Sequence, residues 1–595
     1  MAKPVSPRSE SRGSKVAPAA GAPVKSSAST ASKPVAKPKV QAGSPKPPVA
    51  SKTPVASKPV VAPKVAAPAK AAVAAKPGVA AKPTPVAKPA AAAKPAPTSR
   101  PDASAKPAVS ASKSAAPAKV PAPPAKVPAP AAKRPLVEPK GGEATVAKVS
   151  PADITSLAVA MRYLNERPDF ERMRTMKYGE HTFKLDRMRK LLTALGNPQQ
   201  QVKTVHVAGT NGKGSTVAMI ASMLRNCGYA VGVYTSPHLV DVRERVQIDG
   251  QPISKSDFVE TVQEVAQAAA KLGEEPTFFE IMTAVGFLHF AEQAVDVAVI
   301  EVGLGGRLDS TNVITPLVSV VTAIDLDHTR LLGGTKAAIA REKAGIFKKG
   351  VPALFFEQEP EVDNVMREAA AAVGADLRVV NKDIEFSSRF CVTPDLGPHT
   401  RVCMYTRTSR LEHLPVPLPG EHQAGNCGLA LAAVDILKGY GFELPEDKLT
   451  AGLAATKVPG RMDLVSERPR ILADGAHNPA AMNALMRCVG AHVPYDSMVC
   501  VFGCCADKDI GEMLDKVNLG ADKVIFTRAS ATPRAAAPDD LQKLFQERSG
   551  KMSQIARTVP EAIEMAIRAV SREDLICVTG SFYVVGEAIR YLNER

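Results

Sequence analysis

Short apolar runs alternate with longer segments of helical periodicity along most of the chain after residue 150. The runs that predict buried strands are 202–207, 229–234, 296–302 and 317–324. The segments between them that have the apolar spacing of helices are 214–228, 258–272 and 279–293. Because strands and helices alternate, the pattern predicts an α/β fold with a parallel, doubly wound sheet.

The same rhythm begins again after residues 457–464 (KVPGRMDL). Strands are predicted there at 470–473, 498–502, 523–527 and 575–578, with helices between them. We therefore expect one domain over 151–456 and a smaller, Rossmann-like α/β domain over 457–595, with 457–464 as the hinge.

Residues 1–145 show neither pattern and consist mostly of Ala, Pro, Lys, Val and Ser. Such a composition predicts a disordered, partly polyproline-like tail. The tail holds 25 Lys and Arg against 4 Asp and Glu, a net of +21, so the remainder of this +17 chain carries −4. We favour a solvated spacer, and the alternative is a polycation that contacts nucleic acid or acidic surfaces non-specifically.

The nine cysteines form no CxxC pair, which indicates reduced thiols in a cytoplasmic protein. The N-terminus lacks the apolar segment of a secretory signal, and no run of about 18 apolar residues predicts a membrane span. We expect no membrane partner.

Residues 205–215 (VHVAGTNGKGS) place a glycine-rich turn between a predicted strand and a predicted helix. Such a turn presents backbone N–H groups and a helix N-terminus to phosphate. The predicted ATP-binding residues of the loop are Asn211, Gly212, Lys213, Gly214 and Ser215. The spacing departs from GxxxxGK[ST], because Gly214 follows the lysine, and this weakens Ser215 as a magnesium ligand.

Three further residues carry weaker signals by themselves. Glu301 ends an apolar strand, where a carboxylate is either a helix cap or a magnesium ligand. His328 follows Asp325 and Asp327 but, as a single histidine, could equally be a packed residue. Lys343 has the sequence surroundings of a solvated helix residue.

The loop, one earlier segment and ten later segments, in the same order, resemble the Mur-ligase superfamily, and in particular the folylpolyglutamate synthase/dihydrofolate synthase family. The resemblance covers about residues 155–592. Its other segments are 184–198 (KLDRMRKLLTALGNP), 234–239 (YTSPHL), 277–284 (TFFEIMTA), 301–312 (EVGLGGRLDSTN), 327–329 (DHT), 339–346 (IAREKAGI), 418–431 (LPGEHQAGNCGLAL), 459–461 (PGR), 474–479 (DGAHNP), 501–509 (VFGCCADKD) and 579–582 (TGSF).

The resemblance implies roles for particular residues. Lys213, Lys343 and His328 would be catalytic, with Lys343 carbamylated to N6-carboxylysine. The implied metal ligands are Ser236, Glu301 and His328. Further nucleotide contacts would come from Asn426, Arg461, Asp474 and His477. The implied folate-binding residues are Thr277, Phe278, Phe279, Glu280 and Leu308, although either phenylalanine could instead be a core residue.

The resemblance also implies an activity. The protein would be an ATP-dependent ligase that adds L-glutamate to folates, and also to dihydropteroate, through an acyl phosphate. ATP and two Mg²⁺ would be its cofactors, with K⁺ as a further candidate, and the protein would be a monomer.

Two alternatives stay open at this point. One is another Mur-type amino-acid ligase, such as a UDP-muramyl peptide ligase. The other is a nucleic-acid-associated protein that acts through its basic tail. A motor-type P-loop NTPase is disfavoured by the spacing of the glycine-rich loop.

Overall fold

The computed structural model describes residues 148–173, 183 and 185–595. The basic tail predicted over 1–145 lies outside these residues. The described chain contains two largely parallel sheets flanked by helices, which confirms the predicted α/β class. For description, residues 148–456 are called the larger lobe and residues 457–595 the smaller lobe; the domain boundaries themselves stay a prediction.

The larger lobe is built on an eight-stranded sheet. Its strands are β1 (Thr204–Ala208), β2 (Val231–Tyr234), β3 (Val246–Ile248), β4 (Gln251–Pro252), β5 (Val297–Glu301), β6 (Val318–Val321), β7 (Pro352–Phe356) and β8 (Asp376–Val380). The order across the sheet is β4-β3-β2-β5-β1-β6-β7-β8, with β3 and β4 antiparallel at one edge. Strands β1, β2, β5 and β6 are buried throughout, which explains why they appear in the sequence as continuous apolar runs.

Helices cover both faces of this sheet. They are α1 (Leu157–Asn165), α2 (Leu185–Ala194), α3 (Lys213–Asn226), α4 (Lys255–Ala269), α5 (Phe278–Glu292), α6 (Thr329–Leu332), α7 (Lys336–Ala344), α8 (Pro360–Val373), α9 (His422–Lys438) and α10 (Glu446–Ala454). Val297 and Val299 of β5 pack with α3 and α9, whereas Ala298 and Ile300 pack with α4 and α5. Alternate residues of one strand thus serve two cores, as a doubly wound sheet requires.

A three-stranded antiparallel sheet, which the sequence pattern did not predict, adjoins α9. Its strands are β9 (Glu385–Thr393), β10 (Gly397–Tyr405) and β11 (Arg410–Pro415). Phe386, Met404 and Leu411 on its inner face join the core around α9. Phe390 and Val392 lie on the same face of β9 as Phe386 but are exposed, so the core around α9 covers only the first part of that face.

The smaller lobe is built on a six-stranded sheet. Its strands are β12 (Asp463–Glu467), β13 (Arg470–Ala473), β14 (Met498–Phe502), β15 (Lys523–Phe526), β16 (Met552–Ile555) and β17 (Leu575–Thr579). The order is β12-β13-β17-β14-β15-β16, and β12 is the antiparallel edge strand. The flanking helices are α11 (Pro479–His492), α12 (Ile510–Gly520), α13 (Pro538–Gln546), α14 (Val559–Ala569) and α15 (Phe582–Glu594).

All nine cysteines are free, and six of them are buried. Cys227, Cys391 and Cys403 are half-buried. In the part of the chain that the structure describes, no helix combines the length and the apolar character needed to cross a membrane.

Candidate active site

The carboxyl ends of three parallel strands bring distant parts of the sequence together. Strand β1 lies between β5 and β6, so the glycine-rich loop after β1 lies between Glu301, the last residue of β5, and the segment that follows β6. Ligands of open parallel sheets bind at this edge. The sheet topology therefore brings the predicted phosphate loop and two of the predicted metal ligands to one place.

The glycine-rich loop is shaped by a close approach to α9. Gly212, at the N-cap of α3, has a φ of 89°, in the left-handed region that favours glycine. A Cβ at this position would overlap the side-chain amide of Asn426 on α9. Because α3 begins directly after Gly212, its unpaired N–H groups and dipole offer a phosphate site.

Lys213 and Glu301 face each other across this loop. The Lys213 Nζ lies 3.9 Å from Glu301 Oε1 and 3.5 Å from the carbonyl oxygen of Thr210. Burial raises the pKa of Glu301, and Lys213 opposes that rise. Since both contacts of the lysine are long, its ammonium can exchange them for a phosphate.

Ser236 approaches Glu301 from the loop after β2, and its backbone N–H lies 3.4 Å from Glu301 Oε2. A hydroxyl and a buried carboxylate are oxygen donors, which Mg²⁺ prefers, so these residues fit the ion. Across the described residues, no three His, Cys, Asp or Glu side chains converge on one point.

His328 occupies the N-cap of α6 with a φ of 48°. Burial lowers its pKa to about 3, so the imidazole is neutral and can donate a lone pair. The preceding residue, Asp327, meets three side chains of the smaller lobe. They are Lys508, with Nζ 2.5 Å from Oδ1, and Asn478 and His477, with nitrogens 3.3 and 3.4 Å from Oδ2.

Lys343 is buried, which corrects the solvated position that its sequence surroundings indicated. It lies on α7, and its Nζ donates a hydrogen bond of 2.8 Å to the carbonyl oxygen of Gly209 in the phosphate loop. Burial, reinforced by the positive charge of Lys213, lowers its pKa to about 7. A substantial fraction of this amine is therefore neutral and nucleophilic near neutral pH.

Four of the five predicted folate-side residues line the cavity described below, and the fifth lies in the core. Thr277 caps α5 by accepting the Glu280 N–H at 3.2 Å, while Glu280 accepts the Thr277 N–H at 2.7 Å. Phe279 and Leu308 line the cavity described below. Phe278 instead belongs to the core cluster, where its ring lies 5.2 Å from the guanidinium of Arg245.

Three predicted nucleotide residues are buried beside the cavity without lining it. Ser215 Oγ accepts a hydrogen bond from Gln423 at 3.3 Å, and the amide of Asn426 donates to the same glutamine at 2.9 Å. The carboxylate of Asp474 accepts the N–H groups of Met462 and Ala476, both at 2.9 Å. In this structure these side chains organise the walls of the site.

A cavity of about 1700 Å³ lies between the carboxyl edges of the two large sheets. The predicted site residues that line it are Asn211, Gly212, Lys213, Gly214, Ser236, Thr277, Phe279, Glu280, Glu301, Leu308, His328, Lys343, Arg461 and His477. On the smaller lobe, Arg461 stacks 4.6 Å above the ring of Phe582. One space thus joins the phosphate loop, the folate-side residues and the smaller lobe.

Sequence reasoning missed the residues that connect the lobes. Asp327, Asn478 and Lys508 each stand inside a segment that was singled out, DHT, DGAHNP and ADKD respectively. The available signal for a role at the site was that these polar side chains lie on short loops that follow predicted strands. The pairing itself was not readable, because 181 positions separate Lys508 from Asp327.

Two family models match the chain, the Mur ligase middle domain over residues 207–434 and the Mur ligase glutamate ligase domain over residues 460–582. The chain is 37% identical to a folylpolyglutamate synthase of Lacticaseibacillus casei, over 69% of this chain and 94% of that protein. It is 34% identical to a dihydrofolate synthase/folylpolyglutamate synthase of Bacillus subtilis, over 68% of this chain and 93% of that protein.

The chain belongs to the folylpolyglutamate synthase/dihydrofolate synthase family. Membership confirms the resemblance seen in the sequence and makes the protein an ATP-dependent ligase. A solved relative, the Mycobacterium tuberculosis folylpolyglutamate synthase with ADP and AMPPCP, superposes with a TM-score of 0.66 at 32% identity, covering 74% of this chain and 99% of that one. An Escherichia coli FolC in complex with DHPP and ADP gives 0.65 at 33% identity, covering 75% and 99%. The nucleotides in these family members support ATP as the cofactor.

Proposed function

We propose that this ligase joins L-glutamate to a folate, and also to dihydropteroate, at the cavity between the two lobes. The observation that carries the proposal is the single space in which the phosphate loop, the folate-side residues Phe279 and Leu308, and the polar groups of the smaller lobe meet. Relatives named for both activities support the two acceptors. The cavity is large enough for nucleotide and acceptor together.

In the first step, a carboxylate oxygen of the acceptor attacks the γ-phosphorus of ATP, and ADP leaves. The product is an acyl phosphate. Such a transfer needs mainly alignment and neutralisation of negative charge. The N-terminus of α3, Lys213 and, from the smaller lobe, Arg461 supply positive charge around this part of the cavity.

In the second step, the neutral amine of glutamate attacks the activated carbonyl carbon, phosphate leaves with the electron pair of the C–O bond, and the amine gives up a proton. Water would compete for the same carbon. The contacts of Asp327 with Lys508, Asn478 and His477 hold the smaller lobe over the site, and we assign them the role of excluding water.

Ser236, Glu301 and His328 are proposed to hold two magnesium ions. Magnesium bound there would neutralise phosphate charge and favour the in-line arrangement. The neutral imidazole of His328 and the buried carboxylate of Glu301 support this assignment. K⁺, the monomeric state, the cytoplasmic location and the role of the tail stay predictions from the sequence.

Lys343 is proposed to carry a carbamate. The nitrogen of its neutral amine would attack the carbon of CO₂ and release one proton, which turns the neutral amine into an oxygen anion. The lowered pKa of Lys343 supports the proposal, because only the neutral amine reacts. The hydrogen bond to Gly209 shows that this group lies within reach of the phosphate loop.

The test is ATP-dependent incorporation of labelled glutamate, with dihydropteroate, tetrahydrofolate and a UDP-muramyl acceptor offered separately. We expect incorporation with the two pteridine acceptors and none with the third. Incorporation with the UDP-muramyl acceptor alone would overturn the proposal. Incorporation with only one pteridine acceptor would restrict it to that acceptor.

A further inference from the structure

The loop that carries Ser236 extends from the larger lobe into the smaller one. Leu239, three residues after Ser236, packs against the apolar cluster formed by α14, α15 and the smaller sheet. A methyl group built at Gly460 would lie 3.1 Å from Leu239 Cδ1 and 3.3 Å from Val585 Cγ1. The side chain of Leu239 therefore fills the space left by a residue without a side chain.

Helix α15 approaches the same loop just as closely. A Cβ at Gly586 would overlap the carbonyl group of Leu239, so any larger residue would push the helix and the loop apart. One turn later, Arg590 Nη2 donates a hydrogen bond of 2.8 Å to the carbonyl oxygen of Val240. Leu239 is thus held between the Gly460 turn and α15.

The Leu239 end of the loop is held by hydrogen bonds, and only Pro237 and His238 separate it from Ser236. The carboxylate of Glu244 accepts three consecutive N–H groups, those of Leu239 at 2.8 Å, Val240 at 3.1 Å and Asp241 at 2.7 Å. At the other end of the loop, the Ser236 N–H faces Glu301. The only apolar side chain within 236–240 that joins the smaller lobe's cluster, among the residues the structure describes, is Leu239.

The same side chain also touches the segment that carries Arg461. Gly460 directly precedes this arginine, and its carbonyl oxygen accepts the Gly475 N–H at 2.9 Å, which ties the turn to the loop of Asp474 and His477. Leu239 therefore links the loop of Ser236 in the larger lobe to the segment of Arg461 in the smaller lobe.

We propose that Leu239 is a positioning residue that places Ser236 at the metal-binding edge of the ATP site when the smaller lobe is seated. Insertion of Leu239 between Gly460 and Gly586 couples the position of the smaller lobe to the geometry around Glu301. The inference rests on the proposed assignment of Ser236 as a magnesium ligand and deepens it. Neither ATP nor the acceptor needs to touch Leu239 for this effect.

The experiment measures ADP binding to the full chain at increasing Mg²⁺ concentration. In Leu239→Ala, we expect the Mg²⁺ concentration for half-maximal enhancement of ADP binding to rise at least about fivefold. Affinity for ADP without Mg²⁺ should change by less than about twofold. Leu239→Met retains the inserted side chain and should behave as wild type, as should Leu519→Ala, which removes a leucine that is 74% exposed on α12.

Gly586→Ala approaches the same contact from the other lobe and should produce the same shift. If Leu239→Ala fails to fold by circular dichroism, Gly586→Ala and the milder Leu239→Val decide the outcome. A wild-type Mg²⁺ response in the folded variants would overturn the inference. So would an equal loss of ADP binding with and without Mg²⁺, which indicates a general collapse of the site.

Ser236→Ala separates this inference from the assignment it rests on. If Ser236→Ala shifts the Mg²⁺ response and Leu239→Ala does not, the coupling is wrong and the ligand assignment stands. If neither shifts it, both fail. Because neither glutamate nor an acceptor is present in the experiment, its result is independent of which acceptor the ligase uses.

Discussion

Lys343 shows how burial changes the chemistry of a side chain whose sequence surroundings are ordinary. An amine that is enclosed by protein and hydrogen-bonded to Gly209 loses much of its preference for the charged form. Nothing in the string IAREKAGI reveals that enclosure, because it arises from the packing of α7 against the phosphate loop. The resemblance identified the residue, and the structure supplies the physical reason.

We expect Lys343→Ala to lower the ligase rate by about a hundredfold, because the proposed carbamate would no longer offer an anionic oxygen to Mg²⁺ beside the phosphates. In the wild type, the modified fraction should increase from pH 6 to pH 8 at fixed CO₂, since the neutral amine increases through a pKa of about 7. Native mass spectrometry with and without CO₂ measures the modification. The exposed neighbour Lys349 provides the control Lys349→Ala, and full activity of Lys343→Ala would exclude an essential role.

His206 provides a stability prediction. It is fully buried on β1, with Nε2 2.9 Å from Thr311 Oγ1, and burial lowers its pKa to about 3. Between pH 6.5 and pH 3 the unfolded chain binds a proton at this position and the folded chain does not. The free energy of unfolding therefore falls as the pH is lowered through this window, by about 2.5 kcal/mol between pH 7 and pH 4.5 from this group.

His206→Gln keeps an N–H donor for Thr311 but does not titrate. We expect the variant to lose about 2.5 kcal/mol less than wild type over the same pH interval in urea unfolding. Above pH 7 the difference between the two proteins should not depend on pH. Parallel curves for both proteins down to pH 4.5 would contradict this account of His206.

At the scale of elements, the buried parallel strands were predictable and the antiparallel sheet was not. Strands β1, β5 and β14 are short, wholly buried and mostly apolar, and such runs are readily recognised in a sequence. In strand β9, Ser388 interrupts the face that carries Phe386, Phe390 and Val392, and the last two of these are exposed, so the apolar alternation is weak. Its stability comes from pairing with β10 and packing on α9, which are tertiary facts.

Thr277 and Glu280, at the start of α5, both cap the helix and line the cavity. Thr277→Val removes the hydroxyl that accepts the Glu280 N–H, and loss of such a cap costs about 1 kcal/mol. Because Thr277 and Glu280 also line the cavity, we expect a higher KM for the acceptor than in wild type. Thermal unfolding and steady-state kinetics measure the two effects.

Ser254→Ala is the matched control for Thr277→Val. Ser254 caps α4 by accepting the Asp257 N–H at 3.1 Å, and its removal should lower the melting temperature similarly without a change in the acceptor KM. If both variants raise that KM equally, the effect of Thr277 is one of general stability and not of the acceptor site.

At the scale of the molecule, the edge of the larger lobe that we propose to bind ATP and the polar loops of the smaller lobe enclose one cavity. The ion pair between Lys508 and Asp327 stands at that junction, with both side chains less than a tenth exposed. Family resemblance identified both segments. Neither hydrophobic periodicity nor charge pattern, however, predicts which residues of different lobes contact each other. This is why the composition of the cleft could be predicted while its closing contacts could not.

Lys508→Met should loosen the seating of the smaller lobe, since breaking one partner of a buried ion pair costs about 3–5 kcal/mol. Water would then reach the acyl phosphate. We expect the ratio of phosphate released to glutamate incorporated to rise above that of wild type, while ADP affinity is retained. Lys543→Met on the exposed side of α13 should leave the ratio unchanged. A wild-type ratio in Lys508→Met would show that the ion pair does not protect the intermediate.

The distribution of the cysteines has a practical consequence. Burial raises the pKa of the thiols of Cys427, Cys488 and Cys500 to about 12, so they resist alkylating dyes at neutral pH. Cys391 and Cys403, half-buried on the three-stranded sheet, do not line the cavity. Near this sheet, His492 of α11 lies 2.9 Å from the carbonyl oxygen of Pro398. A fluorophore attached to Cys391 or Cys403 would report the relative motion of the lobes during turnover without occupying the cavity.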